Sequence, residues 1–351
     1  MLRELALVDE KNSLLTASRN AELTILGQKA NKAAAMGIFT DYRSRKSANT
    51  LRRQDAGLNL FADFLCTAGV DIDGAHLSVD PRAWSGVSWG LVAGFLRWQL
   101  LKGYAVSSAN VRLSTMKTYA KLAFKAGVID ASEYALIRSV EGYSRKEAKR
   151  IDEQREAEKI ETRIGHKKAE PVSLAAKQAR KLKNRPDTPQ GRRDALLMCL
   201  LLDHGLRVGE VAGLKVNDFD TQAGEFRFYR PKVDKEQTHR LTHDALRAAV
   251  AYLTQDAEKS GSLFKGSRKG GELQGGMTDR SISVRVGSLG LQIGVDGLSA
   301  HDCRHHWATQ AARSDTPVDR LMEAGGWSSP AMPLRYIESA RIANEGVNLE
   351  G

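Results

Sequence analysis

Tyr336 lies nine residues after Trp327, and both follow the run HDCRHHWAT, which carries His301 and Arg304; another arginine, Arg207, lies far upstream behind an apolar stretch. A tyrosine hydroxyl attacks a phosphodiester only if the charge growing on the phosphorus oxygens is neutralised. Two guanidinium forks with imidazole and indole donors meet that need without a metal. Phosphoryl transfer onto tyrosine is therefore the chemistry these residues support together, and none supports it alone. Singly, Tyr336 reads as a helix-packing tyrosine, Trp327 as a buried structural ring, and each arginine as half of an ion pair. His305 and His306 beside Arg304 raise a zinc site as an alternative, but no carboxylate or cysteine completes a ligand spacing. No cofactor or metal is called for.

The elements that must position these side chains are punctuated clearly near the C-terminus. Thr316-Pro317 reads as an N-cap with proline in the first helical position, and Gly325-Gly326 as a stop. Trp327 then falls on a turn. Pro333 lacks the amide a helix interior needs, so the last helix is expected to start near Met332 with Tyr336 about one turn in. Upstream, the apolar helix Asp194 to Asp203 breaks at Gly205, and Arg207, Glu210, Val211 and Leu214 mark the next helix. Phe226 and Phe228 alternate with Arg227 and Tyr229, Pro231 to Lys235 reads as a turn, and Thr238 to Thr242 as the returning strand. Further helices are expected over Ala245–Leu253, Ser281–Leu291 and His301–Ala312.

With 351 residues the chain exceeds one ordinary core, so two lobes are expected. From Ser47 to Tyr143 the pattern is helical. Leu51, Leu58, Phe61, Phe64 and Leu65 form one stripe; Val87, Leu91, Phe95 and Trp98 a second; Val111, Met116, Tyr119, Leu122 and Ala123 a third. Asp130 caps a fourth helix carrying Tyr134, Leu136, Ile137 and Val140. The expected division is an arm or extra helix over 1–46, a helical domain over 47–143, a charged linker over 144–170, and a catalytic domain over 171–351.

Lys and Arg number 53 against 42 Asp and Glu, a formal net charge of +11, which favours a polyanionic partner. The stretch KQARKLKNRPDTPQGRRD concentrates that excess. Its Lys177, Arg180, Lys181, Lys183, Arg185, Arg192 and Arg193 stand against two Asp and suit a phosphate backbone, or simply a solvated face. Cys66, Cys199 and Cys303 form no close pair, which reads as a reducing compartment. The longest apolar run, ALLMCLLL, is far short of a membrane span. A cytoplasmic protein with no membrane partner is expected.

The residues resemble the tyrosine recombinases, or phage integrases, whose catalytic domain is shared with type IB topoisomerases. HGLRVGEVAGL resembles the family's first arginine motif, HDCRHHWAT its His-x-x-Arg motif, and AGGWSSPAMPLRYIE its His/Trp position followed by the nucleophile. SANTLRRQDAGLNLFADFL more loosely resembles the start of the helical core-binding domain. The resemblance implies a mainly α, two-domain fold: a helical core-binding domain plus an α+β catalytic domain with a small antiparallel sheet. It implies Tyr336 as the nucleophile that forms a 3′-phosphotyrosine and releases a 5′-hydroxyl, with no need for ATP. It makes Arg207 and Arg304 the phosphate-binding pair, His301 the imidazole of the site, Glu210 and His305 its support, and Lys232 in the strand turn the general acid, with Lys235 as the alternative. Trp327 stands where most of the family has histidine, as in Cre recombinase. The indole can donate to a phosphate but cannot shuttle a proton. The implied partner is double-stranded DNA, gripped between two lobes by a homotetramer on paired sites, with accessory proteins possible and Ile337–Gly351 offered as the exchange segment between subunits. A topoisomerase or telomere resolvase with the same chemistry, and a catalytically silent DNA-binding regulator, are the alternatives.

Overall fold

A computed structural model describes residues 2–164, 171–267 and 271–340, and side chains from residue 19 to residue 338 within those stretches. The chain divides into two compact units, 1–169 and 170–351.

The first unit is helical. The region expected to be an arm forms α1 (Leu2–Met36) and α2 (Ile38–Ser44). Ser47 then caps α3 (Ala48–Thr67) by accepting from the Thr50 amide, and Asp73 caps the short α4 (Gly74–Val79). A 3₁₀ turn over Pro81–Trp84 leads to α5 (Trp89–Leu101), α6 (Val106–Lys125) and α7 (Ala131–Ser139), the last capped by Asp130. The core is largely aromatic: Phe61 packs edge-on against Phe95 at 5.1 Å, and Trp84 stacks on Tyr119 at 6.1 Å. Two stripe positions turn outward. Val111 is exposed because α6 buries Ala109, Leu113, Met116 and Ala120, and position 111 lies on the opposite side of that 3.6-residue repeat. Leu136 is exposed beside the buried Ile137. The charged stretch after Tyr143 begins as α8 (Arg145–Ala157), opened by a capping box between Ser144 and Glu147.

The second unit wraps α10 (Pro189–Asp203) with other elements. α9 (Ala176–Lys183) and α12 (His243–Gln255) pack against it, as does α14 (Ala300–Arg313). Every residue of α10 from Leu196 to Leu202 is buried, which is why the apolar run has no periodicity. α11 (Val208–Ala212) leads into a three-stranded antiparallel sheet of β1 (Phe219–Asp220), β2 (Glu225–Arg230) and β3 (Lys235–Arg240), in that spatial order. Phe226, Phe228 and Arg230 share the buried face of β2. β3 starts earlier than expected, so Lys235 is its first residue, paired with Arg230, rather than a turn residue. The pair β4 (Lys265–Ser267) and β5 (Leu273–Gly276) precedes α13 (Asp279–Gln292). α15 (Val318–Gly325) has Pro317, not Thr316, at its N-cap; it ends on Gly326 in the left-handed conformation at φ +58°. α16 (Ala331–Ala340) completes the unit. Among the described residues, no helix is long and apolar enough to cross a membrane.

Two histidines in this unit set a pH limit on its stability. Burial holds His204 down to about 3 and His239 to about 4, against an ordinary 6.5. Each folded pKa lies below its unfolded value, so the unfolded chain binds the extra protons as pH falls through 6.5, and the folded state loses stability. The loss is about 1.4 kcal/mol per pH unit for each histidine until its folded pKa is reached. Acidification from pH 6.5 to 5 is therefore expected to cost roughly 2 kcal/mol per site. Thermal midpoints across that range should fall less steeply for His239→Gln than for the wild type; parallel slopes would exclude His239 as the cause.

Candidate active site

α14 carries His301, Arg304, His305 and Ala308 at helical spacing, so these residues share one face. Asp302 anchors the helix by accepting from the Ser299 and Val172 amides. Arg304, 3 % exposed, donates from its two terminal nitrogens to the carbonyls of Gly205 and Gly325. It thereby joins the break after α10 to the end of α15. Arg207 bonds Glu210 through its backbone amide at 2.8 Å and its Nη1 at 2.7 Å, and its Nη2 reaches the Gly326 carbonyl at 3.3 Å. Glu210 is buried and is shared: Arg230, fully buried at the end of β2, places its Nη1 3.2 Å from both carboxylate oxygens.

Two guanidiniums thus bond a single carboxylate and a third, Arg304, lies in the same cluster bonded only to carbonyls, so positive charge exceeds negative among the described residues. Burial, with Arg207 nearby, pulls Arg304 down to about 9; burial also lowers Arg230 to about 10. Both remain cations at neutral pH. A cluster in which desolvation and mutual repulsion both disfavour the charged forms gains by accepting an anion.

Aromatic rings form the other wall. The Trp327 ring lies 4.5 Å from the Arg304 guanidinium carbon, stacks on Trp307 at 5.9 Å, and tilts against the Tyr336 ring at 5.8 Å. Tyr336 is the sixth residue of α16, further from the helix start than one turn, and is only 4 % exposed. Burial raises its phenol pKa, a shift that the nearby Arg304 opposes, so it rests protonated at neutral pH. His305 has its imidazole against the nucleophile candidate, at 5.2 Å between ring centroids. Its Nε2 lies 3.0 Å from that of the exposed His301. Burial, followed by the neighbouring His301, lowers the His305 pKa. His306 points elsewhere: its Nδ1 lies 3.1 Å from the Leu174 carbonyl. Among the described residues, no group of three or more His, Cys, Asp or Glu could hold a metal ion.

Gly205 makes this arrangement possible. It sits at φ +61°, and a Cβ there would lie 2.2 Å from the Trp307 ring. Gly205→Ala combines left-handed strain with a clash that displaces Trp307, and is expected to destabilise the second unit by roughly 2–4 kcal/mol. Urea unfolding followed by tryptophan fluorescence measures this, and an unchanged midpoint would contradict it.

Lys232 is exposed in the β2–β3 turn, two residues beyond Arg230. The basic stretch divides. Lys177, Arg180 and Lys181 are exposed on α9, which buries Ala179 and Leu182. The other four are committed internally and leave the expected patch. Lys183 bonds Asp203 and Asp244, Arg185 bonds Gln292, and Arg192 bonds Asp187 and Asp256. Arg193, 1 % exposed, bonds Asp194 and the Lys265 carbonyl. Carboxylates placed by later elements neutralise them, which a count of charges along one segment cannot register.

The phage integrase family model matches residues 173–341, a span that contains every residue of the cluster. The second unit is thus similar to the phage integrase family, over just under half of the chain. Among curated relatives, tyrosine recombinase XerC of Actinobacillus succinogenes is 31 % identical over 159 residues, 44 % of this chain and 52 % of that protein. The chain thus spans about half the length of that relative. XerC of Methylobacterium nodulans is 26 % identical over 326 residues, 88 % of this chain and 89 % of its own. The fold is shared with solved integrases. The Tn1549 transposon integrase, determined with a circular intermediate DNA, has a TM-score of 0.60 at 13 % identity, covering 86 % of this chain and 94 % of that one. A lambda integrase dimer bound to a COC′ core site gives 0.58 at 15 %, covering 89 % and 95 %.

Two residues of this cluster are not singled out from the sequence. Arg230 is signalled only by its register: an arginine on the same strand face as Phe226 and Phe228 must be buried with a partner. Trp307 lies within the run HDCRHHWAT and is signalled by its place three residues after Arg304 on one helix face.

Proposed function

We propose that the protein is a site-specific DNA recombinase that cuts and rejoins double-stranded DNA through a 3′-phosphotyrosine. The observation that carries this reading is the surplus of guanidinium charge around Glu210, walled by Trp327 and adjoining a buried, protonated Tyr336. A scissile phosphate supplies the anion that the cluster lacks.

In this reading Arg207 and Arg304 donate to the non-bridging oxygens, and the Trp327 indole adds a further donor. The Tyr336 oxygen forms a bond to phosphorus as the bond to the 5′-oxygen breaks. The phenol proton leaves towards the His305–His301 pair, and Lys232 protonates the departing 5′-oxygen. Attack by the 5′-hydroxyl of another strand reverses each transfer and restores the tyrosine. Glu210 holds Arg207 in place, while Lys177, Arg180 and Lys181 contribute phosphate contacts. Strand exchange between two sites requires paired cuts, so a homotetramer is the working assembly. The part of the suggested exchange segment beyond Ala340 lies outside the described residues.

The reading can be tested on an unselected pool of DNA. Wild-type protein is incubated with sheared genomic DNA of its source, covalent adducts are isolated under denaturing conditions, and the attached DNA is sequenced. Enrichment of one sequence is expected, and a nicked duplex carrying it should trap the adduct. Absence of any adduct would overturn the enzyme reading. Sequence-independent relaxation of supercoiled plasmid without recombinants would assign the same chemistry to a topoisomerase.

A further inference from the structure

We propose that Arg230 is a positioning residue for strand cleavage: it locks the β2–β3 turn bearing Lys232 onto the C-terminal end of α15. The inference rests on the reading of Lys232 as proton donor to the leaving 5′-oxygen. Arg230 is the last residue of β2, fully buried, and its carbonyl accepts from the Val233 amide at 3.2 Å across the turn. Its guanidinium donates to the Ala324 carbonyl at 2.6 Å and the Gly325 carbonyl at 3.1 Å. These are carbonyls at a helix C-terminus, where the backbone lacks its own donors and the dipole favours a cation. The opposite strand is tied to the same place: Gln237 accepts from the Arg230 Nε and donates to the Glu323 carbonyl at 2.8 Å. Both strands therefore grip three successive carbonyls of α15, Glu323 to Gly325, with only Gly326 between them and Trp327. Closeness is enforced at Gly326, where a Cβ would lie 2.7 Å from the Arg230 side chain.

Among the described residues Lys232 has no comparable anchor of its own, being exposed two residues along the turn. The guanidinium two residues away fixes the height of the hairpin over the site, so losing it frees the turn to move. Arg230 also touches Glu210, so a rival role is available in which it acts on the phosphate through Arg207. The two roles differ in which atom they serve, the 5′-oxygen or the non-bridging oxygens.

A substrate with sulfur in the bridging 5′ position separates them, because a thiolate leaves without needing a proton. Nicked duplexes carrying the sequence recovered from the adducts, made with oxygen or sulfur at that position, are cleaved in single turnover by wild type, K232A, R230M and R230K. On oxygen, R230M is expected to be about 10–100-fold slow, with R230K less affected. On sulfur, K232A and R230M should both return to within about threefold of wild type. K232A restored by sulfur while R230M and R230K stay equally slow on both substrates would overturn the positioning role alone. K232A left unrestored would overturn the reading of Lys232 and this inference with it. Cleavage of the sulfur substrate itself reports that a variant's site is folded, and R230K, which keeps the buried cation, carries the comparison if R230M does not fold.

Discussion

Tyr336→Phe is expected to reduce covalent protein–DNA adduct to below detection, a loss of more than about a thousandfold, while duplex binding stays within about twofold of wild type. The substitution is selective because it keeps the ring. Tyr336 is 4 % exposed and packs between His305 and Trp327, contacts that phenylalanine reproduces. The ring packing is kept, so the stability lost should be about 0.5–2 kcal/mol, the scale of one hydroxyl's contacts. What disappears is the one oxygen in the aromatic wall able to bond to phosphorus. Burial raises the phenol pKa and Arg304 opposes that shift, so the phenol rests protonated at neutral pH and the proposed attack needs a proton acceptor. An adduct formed at wild-type yield by the phenylalanine variant would locate the nucleophile elsewhere. Loss of DNA binding together with the adduct would show that Tyr336 supports the fold more than the chemistry.

How much of this was legible in the sequence depended on how local each signal is. Tyr336, Trp327, Arg304, His301 and Arg207 are named by motif and order, and the glycine pair at 325–326 ends α15 where chain punctuation places it. The start of α16 is nearly legible from Pro333, because a proline is tolerated only in the first turn. Long-range partnership was not legible. Arg193 and Lys183 look like neighbours of Lys181 in a basic run, yet Asp194 and Asp203 capture them inside the second unit. Arg230 shows the converse: its own strand offers only the Phe228 ring, and the three carbonyls and the carboxylate that hold the hairpin come from elements 20 residues before it and more than 80 after. The His305 contact with Tyr336 has the same origin, since it exists only once α14 and α16 are packed together. Helical periodicity placed the core of the first unit but overreached at Val111 and Leu136, where an apolar residue sits on the wrong side of the repeat.

Arg304→Met should slow adduct formation by roughly 10²–10³-fold, comparable with removing one preorganised donor from a developing oxyanion. DNA affinity should change little, because many phosphate contacts along a duplex dominate binding and the proposed site would supply one of them. The guanidinium does two things that methionine cannot: it sets a cation against the Trp327 ring, where the proposed phosphate would bind, and it satisfies the Gly205 and Gly325 carbonyls. Stranding those acceptors is expected to cost about 1–3 kcal/mol of stability. The two effects separate under measurement. Arg304→Lys restores the charge but, as a point donor, cannot bridge both carbonyls and still address a phosphate. It should therefore recover part of the stability and little of the rate. Arg207→Lys should behave differently, because Arg207 bonds Glu210 and one carbonyl and is more exposed, at 26 % for its side chain. Single-turnover rates and thermal midpoints for the three variants decide the matter: if Arg304→Lys regained the wild-type rate, the forked geometry would be irrelevant and only the net charge of the cluster would count.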